Sequence, residues 1–293
     1  MYQFSIPVPV EFSYDRCIEF LLRSPKEILH SVADGKVYKA ILLKDFVALT
    51  EVGFSNRQIM VTVLNAGPDF KDHFIIEEYI SQWFDLYTDL KPFYAMAQND
   101  KLLSQLVDQF YGYRIVGQPD LFESLAWAVI GQQINLSFAY TLKQRFVESF
   151  GYKQVAQDKT FYLFPTPEEV ARLNDVDLLP LQFSKQKSKY VVEIAKAFVN
   201  QEVSKESIAK LSFEEAKQKL MSIKGVGNWT ANYALMKTFR YPNAFPLEDA
   251  GVHNAIKNLK RMKTKPTLDQ VSRVFKKYKG WEAYATLYLW KSL

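Results

Sequence analysis

The sequence predicts an α+β fold, with a small N-terminal α/β module carrying an antiparallel sheet and a larger all-α module after it. Three observations predict this. Short runs rich in Val, Ile and Leu, separated by polar turns, cluster before Pro68. From Lys91-Pro92 to Leu293, apolar residues recur almost everywhere at helical spacing, with few strand candidates. Helix-start signals repeat through that second stretch. A chain of 293 residues also exceeds what one small core usually organises. The modules are placed at residues 1–95 and 96–293.

In chain order, Tyr14 to Leu22 is apolar at helical spacing and predicts a helix. Val37–Leu43, Phe46–Val52 and Gln58–Leu64 are bounded by polar or Gly-containing turns and predict antiparallel strands. Gly67-Pro68 closes that set, and Phe70 to Leu86 predicts a helix. Asp120 followed by Glu123 is an N-terminal capping pattern, with Leu121, Leu125, Ala128, Val129 and Gln132 on one face of the helix it starts. Gly151 ends the next helix, Ser137–Phe150. In Phe164-Pro165-Thr166-Pro167-Glu168, Thr166 is the cap and Pro167 the first helical residue. Ser184-Lys185-Gln186-Lys187-Ser188-Lys189 precedes a helix with Tyr190, Ile194 and Phe198 on one face. Those lysines are either a solvated face or phosphate contacts. Ser212 with Glu215 is a capping box opening Phe213–Ser222.

The formal net charge of +5 permits a nucleic-acid partner without requiring one. One cysteine, Cys17, excludes a disulfide framework and a four-cysteine cluster. His30, His73 and His253 are scattered, so no metal is expected to be essential. The start, MYQFSIPVPVEF, lacks the order of a signal peptide, and no run of eighteen apolar residues is long enough to span a membrane. A soluble intracellular protein is expected.

The informative stretch is Leu220-Met221-Ser222-Ile223-Lys224-Gly225-Val226-Gly227-Asn228-Trp229-Thr230-Ala231-Asn232-Tyr233. A capped helix ends near Ser222, a two-glycine turn follows, and a second helix starts at once; the unit spans about 213–235. Glycines permit left-handed backbone and close approach of another molecule. A turn feeding a helix N-terminus points free amides outward, which suits a phosphate. Taken alone, such a turn is more often a plain packing connection. Downstream, Phe245-Pro246-Leu247-Glu248-Asp249-Ala250-Gly251-Val252 leads into a helical run through Leu259. Asp249 is a helix cap, a functional carboxylate, or both.

Together these segments resemble the helix-hairpin-helix superfamily of DNA glycosylases. Its signature is a L-x-x-I/L-x-G-V/I-G-x-W/K-T-A hairpin, then an F-P-x-x-D segment bearing the catalytic aspartate. Asp249 matches that aspartate, and Glu248 sits one position off. Lyase-competent branches carry a Schiff-base lysine two residues after the second glycine. Trp229 stands there instead, so the resemblance implies single-step hydrolysis without strand nicking. Trp229 is also what the 3-methyladenine glycosylase II branch carries. Trp127-Ala128-Val129-Ile130-Gly131-Gln132-Gln133, Phe164-Pro165-Thr166-Pro167, and Lys279-Gly280-Trp281 through Leu289-Trp290 are similar to that branch, as is the α/β module ahead of the helices.

The resemblance implies a monofunctional glycosylase that excises alkylated bases, such as 3-methyladenine or 7-methylguanine, from double-stranded DNA in base excision repair. It implies a monomer without a cofactor, in a bacterial cytoplasm and associated with the nucleoid. Asp249 would stabilise charge developing on the sugar, or orient water. Trp229, Tyr233, Trp290 and Gln132 are candidates for the base pocket, where aromatic faces attract a cationic base. Core packing is the alternative for each aromatic, and capping its helix for Gln132. Lys224, Gly225, Val226, Gly227 and Thr230 would grip the DNA backbone. A monovalent cation held by hairpin carbonyls near Met221, Ile223 and Val226 is implied by the resemblance only.

Two departures matter. A leucine often stands in the branch where Gln133 stands here, so the wedge that fills the gap left by an extruded base is Gln133 or Ile134. Lys291 follows Trp290 where the branch commonly shows an aromatic. Two competing functions are a catalytically silent DNA-binding protein, against which Asp249 argues, and a glycosylase for oxidised purines, which usually has the lysine that Trp229 replaces.

Overall fold

The structure is a computed structural model describing residues 1–293 apart from the side chain of Asp175. Its first module is a five-stranded antiparallel sheet with strand order β1-β5-β4-β3-β2. The strands are β1 Tyr2–Pro7, β2 Ser31–Ala33, β3 Lys36–Leu42, β4 Val47–Ser55 and β5 Gln58–Val63. β3, β4 and β5 lie on the runs expected to be strands. β1 and β2 are additional edge strands. Three-residue β2 is too short for a period to be read. Helices α1 Tyr14–Leu21 and α2 His73–Trp83 bury Tyr14, Cys17, Ile76 and Ile80 with the sheet residues Val37, Val52 and Val61. α2 is shorter than Phe70–Leu86 because the Gly67 turn consumes its expected start, and Asp85, at φ 53, ends it.

The second module contains α3 Lys91–Ala97, α4 Ser104–Gln109, α5 Leu121–Gly131, α6 Leu136–Phe150, α7 Pro167–Ala171, α8 Lys185–Val199, α9 Lys205–Ala209, α10 Phe213–Met221, α11 Asn228–Ala234, α12 Ala250–Leu259, α13 Leu268–Phe275 and α14 Glu282–Trp290. It is not all helical. A hairpin of β6 Tyr152–Ala156 and β7 Lys159–Leu163 lies between α6 and α7. Its two turn residues, Gln157 and Asp158, both have positive φ, the backbone such hairpins need. Neither is glycine, so the usual turn signal is missing. Phe161 of β7 packs with Tyr38 and Leu49 on the outer face of the first sheet.

The capping signals form as the sequence predicts. Asp120 accepts from the Glu123 amide at 2.6 Å, and Thr166/Glu169 and Ser212/Glu215 are reciprocal boxes. The lysine run is the exception. α8 starts at Lys185 with Ser184 as cap, so these residues form its first turn instead of preceding it. Lys187 donates to the Ile130 carbonyl at 2.8 Å, the C-terminal end of α5, and is thereby a structural residue.

The apolar core passes from the first module to the second between Leu86 and Leu90, and α3 belongs wholly to the second. The boundary expected near residue 95 therefore cuts through a helix. Buried ion pairs tie the modules together. Arg114 reaches Glu11 at 2.8 Å with side chains 0% and 6% exposed, and also donates to the carbonyls of Asp85 and Thr88. Lys143 on α6 reaches Glu27 at 2.8 Å. Removing one partner from such a pair strands a buried charge.

His30 sits in this seam, with its Nε2 3.0 Å from the Leu21 carbonyl. Burial pushes its pKa down to about 4, with Lys39 and Lys143 adding to the effect against Glu27. For Glu27, burial opposes ionisation, but Lys143 and His30 outweigh it and hold the carboxyl at about 2. The unfolded chain takes up the His30 proton first, near pH 6.5. Stability from a neutral His30 is complete above that pH and is lost as pH falls toward 4. The Glu27 contribution is present above its unfolded value and lost toward pH 2. Denaturant unfolding should therefore show stability falling continuously from about pH 6.5 downward, and His30→Gln should flatten the upper part of that fall. A wild-type profile that is level between about pH 6.5 and 4 would contradict this account.

Candidate active site

α10 and α11 are joined by a turn through Ile223–Gly227. Gly225 has φ 97, in the left-handed region, and a Cβ there would overlap the ring of Tyr190 on α8. Gly227 precedes α11 in extended backbone, and no side chain caps the helix. The amides of Gly227, Asn228, Trp229 and Thr230 have no hydrogen-bond partner among the described residues. Lys224 and Gly227 are exposed. Val226 and Thr230 bury their side chains, at 5% and 1% exposure, so they present only main chain.

Of the two places expected for Gln132, the structure gives the cap of its helix: it is the C-cap of α5. At the end of α5 its Nε2 donates to Thr230 Oγ1 at 3.0 Å and to the Gly225 carbonyl at 3.5 Å. It braces the hairpin and does not line the cleft that holds Tyr233 and Trp290. The buried Thr230 hydroxyl accounts for this, since a buried polar group needs a partner.

Asp249 is the N-cap of α12. Its Oδ1 accepts from the Val252 amide at 2.9 Å and from Trp290 Nε1 at 2.8 Å. Its Oδ2 accepts from Trp229 Nε1 at 3.0 Å. The cap and the functional carboxylate are thus one group. α11 fixes the loop leading to it through residues on one face. Asn232 Oδ1 accepts from the Phe245 amide at 3.0 Å, and Asn228 Nδ2 donates to Glu248 at 2.9 and 3.0 Å. Glu248 is therefore turned to the hairpin helix. His253 bridges the Leu247 and Pro266 carbonyls at 2.9 and 3.0 Å behind the loop.

A cleft of about 740 Å³ opens beside Asp249. Trp229 and Tyr233 stack along one wall, with ring centroids 5.2 Å apart and planes 18° apart. Tyr233 is 7% exposed, and its hydroxyl accepts from Trp127 Nε1 at 3.0 Å, so it offers the cleft ring surface. Trp290 faces it across Asp249. Lys291 reaches Glu19 at 3.2 Å. A second hollow, of about 810 Å³, is bounded by Gly131–Asn135 and the hairpin, and shares Asp249 with the first. Gln133 lies on its rim, exposed and with φ 55, while Ile134 is half-buried against the helical core and borders both hollows.

Sequence reasoning missed several contributors. Asn228, Asn232 and Trp127 act through partners remote in sequence. Phe20 and Arg23 reach the cleft from the first module, and nothing local marks the end of α1 as part of a site. Gly251 has a local reason, because a Cβ there would meet Asp249 Oδ1 at 2.9 Å and Trp290 Cδ1 at 3.0 Å. Its position two residues after the aspartate was the available signal.

Hairpin, capped aspartate and aromatic cleft agree with what comparison finds. Residues 126–280 match the HhH-GPD superfamily base excision DNA repair protein family, and residues 26–125 match the 8-oxoguanine DNA glycosylase N-terminal domain. The chain belongs to the HhH-GPD superfamily of base excision DNA repair proteins. Its chemistry is that of a DNA glycosylase, hydrolysis of an N-glycosidic bond. It is 40% identical over 292 residues to a DNA-3-methyladenine glycosylase of Bacillus subtilis, covering 98% of this chain and 96% of the relative. The 3-methyladenine DNA glycosylase structure from Archaeoglobus fulgidus superposes with a TM-score of 0.84 at 25% identity, covering 98% and 97% of the two chains. An 8-oxoguanine glycosylase/lyase of Clostridium acetobutylicum shares the fold, with a TM-score of 0.75 at 22% identity over 97% and 94%.

Gly251→Ala should displace the Trp290–Asp249 contact. Base-excision rate should fall by between about tenfold and a hundredfold, as expected for a misplaced reacting group. The melting temperature should change little. Unaltered single-turnover rates in a folded variant would show that the indole contact does not position the carboxylate.

Proposed function

We propose that this chain is a monofunctional glycosylase that removes alkylated bases, of the 3-methyladenine and 7-methylguanine type, from double-stranded DNA. The observation carrying this reading is Asp249 set between two tryptophan indoles at the mouth of an aromatic cleft, with Trp229 where a lyase would need an amine. The B. subtilis relative, aligned end to end, supports the substrate class.

An alkylated purine is cationic and leaves readily, so the site needs to hold the base and steady the sugar. The C1′–N bond breaks with its electron pair going to the base, which departs neutral. The sugar becomes an oxocarbenium ion, whose charge Asp249 faces. Water then bonds to C1′ and loses a proton by way of Asp249 to solvent. Oδ2, with a single N–H partner, keeps a lone pair for this. The product is an abasic site in an unbroken strand. The stacked faces of Trp229 and Tyr233, with Trp290, attract the cationic base at about 0.5–2 kcal/mol each.

The base must leave the helix stack to reach the cleft. Gln133, exposed on its tight turn, is better placed than half-buried Ile134 to fill the gap. The free amides from Gly227 to Thr230, with Lys224, hold backbone phosphate. The Met221 and Val226 carbonyls accept no hydrogen bond among the described residues outside helix α10, and Ile223 accepts one, from Val226. They fit a monovalent cation, which would add positive charge beside the phosphate.

Asp249→Asn should lower release of 3-methyladenine and 7-methylguanine from methylated duplex by about a hundredfold or more, the scale of losing a charge-stabilising group. The wild-type product strand should break only after alkali. Equal release by the variant would remove Asp249 from the chemistry, and cleavage without alkali would reinstate a lyase. Gly227→Asp is a clean test of the hairpin, because a Cβ at Gly227 meets nothing within 4 Å. It should weaken binding to undamaged duplex and make the salt dependence shallower.

A further inference from the structure

We propose that Arg23 is a specificity-determining residue that reads the edge of the base in the cleft, selecting a ring carbonyl over an exocyclic amine. This rests on reading the cleft as the pocket for an extruded base.

Arg23 follows α1 in the first module and lines the cleft floor with Phe20. Its Nε donates to the Tyr140 hydroxyl of α6, and its guanidinium carbon lies 3.9 Å over the Phe20 ring. The group is thus held by one edge and one face. Its Nη1 and Nη2 have no hydrogen-bond or ion-pair partner among the described residues. Arg114, by contrast, places its Nη groups on Glu11 and two carbonyls. The residue as a whole is exposed although its guanidinium lies deep, and it lines both this cleft and the small cavity behind it that Glu27, His30 and Lys143 also line.

A neighbouring cation does not duplicate it. Lys237 lines the same floor and donates to the Val116 carbonyl, and burial pushes its pKa well below that of an ordinary lysine. For Arg23, burial also works against the charge, but Tyr140, Tyr233 and Glu27 outweigh it and keep its pKa raised.

A guanidinium donates and never accepts. The O6 of a 6-oxopurine such as 7-methylguanine meets the free fork as an acceptor, the pairing arginine makes with guanine edges. The 6-amino group of 3-methyladenine would set N–H against N–H, an unfavourable match. Density on O6 also rises as the C1′–N9 electron pair enters the ring, so the contact strengthens toward the transition state.

The test compares wild type, Arg23→Gln and Arg23→Lys. One readout is the single-turnover release of 7-methylguanine and 3-methyladenine from one duplex. The other is the affinity of the two free bases, followed by tryptophan fluorescence. Wild type should bind free 7-methylguanine the more tightly. Arg23→Gln should lower the ratio of 7-methylguanine to 3-methyladenine release by about tenfold, within the range of one good base contact. Arg23→Lys, which keeps charge but loses the planar fork, should restore only part of the ratio. Equal losses on both bases, an unchanged ratio, or equal wild-type affinities would overturn the proposal and leave Arg23 as a clamp between modules. Free-base discrimination by a wild type that releases neither base from DNA would support Arg23 and count against the glycosylase reading alone.

Discussion

The carboxylate of Asp249 receives N–H groups from three separate stretches of chain: the Trp229 indole on α11, the Trp290 indole at the end of α14, and the Val252 amide in the first turn of α12. Charge-assisted bonds of this kind fix direction as well as distance. The rest of the site is arranged around them. α11 must lie where Trp229 can reach, α14 must bring Trp290 beside the cleft, and residue 251 must be small enough to let the Trp290 indole in. A helix cap, ordinarily a local device, here joins three elements of the second module.

The hairpin performs two tasks with one set of residues. Gly225 brings the turn against Tyr190, and the first amides of α11 are left without partners. The same helix then offers Asn228, Trp229, Asn232 and Tyr233 inward, where three hold the aspartate loop and one floors the aromatic wall. Backbone grip and catalytic carboxylate are therefore held at a fixed separation by one short helix. Gln132 completes the coupling by bonding the hairpin from the end of α5. Its role is supportive for a physical reason: the Thr230 hydroxyl is buried and lacks another partner.

The first module is more than a packing platform. Phe20 and Arg23 enter the cleft from it, and the seam behind them is rich in buried charge. Such pairs contribute little net stability compared with apolar packing, but they penalise any other docking of the two modules. That suits a pocket wall that must be placed accurately although it comes from another core.

Capped helices, the three central strands, the hairpin glycines and the placement of Asp249 after them were legible in the sequence, because each depends on residues a few positions apart: a cap three residues ahead, an apolar period, a left-handed turn. The resemblance added Trp229 and Trp290 to the site. Interactions between distant residues were not legible. β7 is a strand because Phe161 finds Tyr38 and Leu49, Gln132 leaves the pocket because Thr230 claims it, and Arg23 enters it because α1 packs where it does. Local order along the chain set the chemistry available, one carboxylate beside tryptophans with a phosphate-seeking turn. Which side chains surround the base followed from the folded arrangement, since a side chain's partner is set by packing across modules and not by its neighbours along the chain.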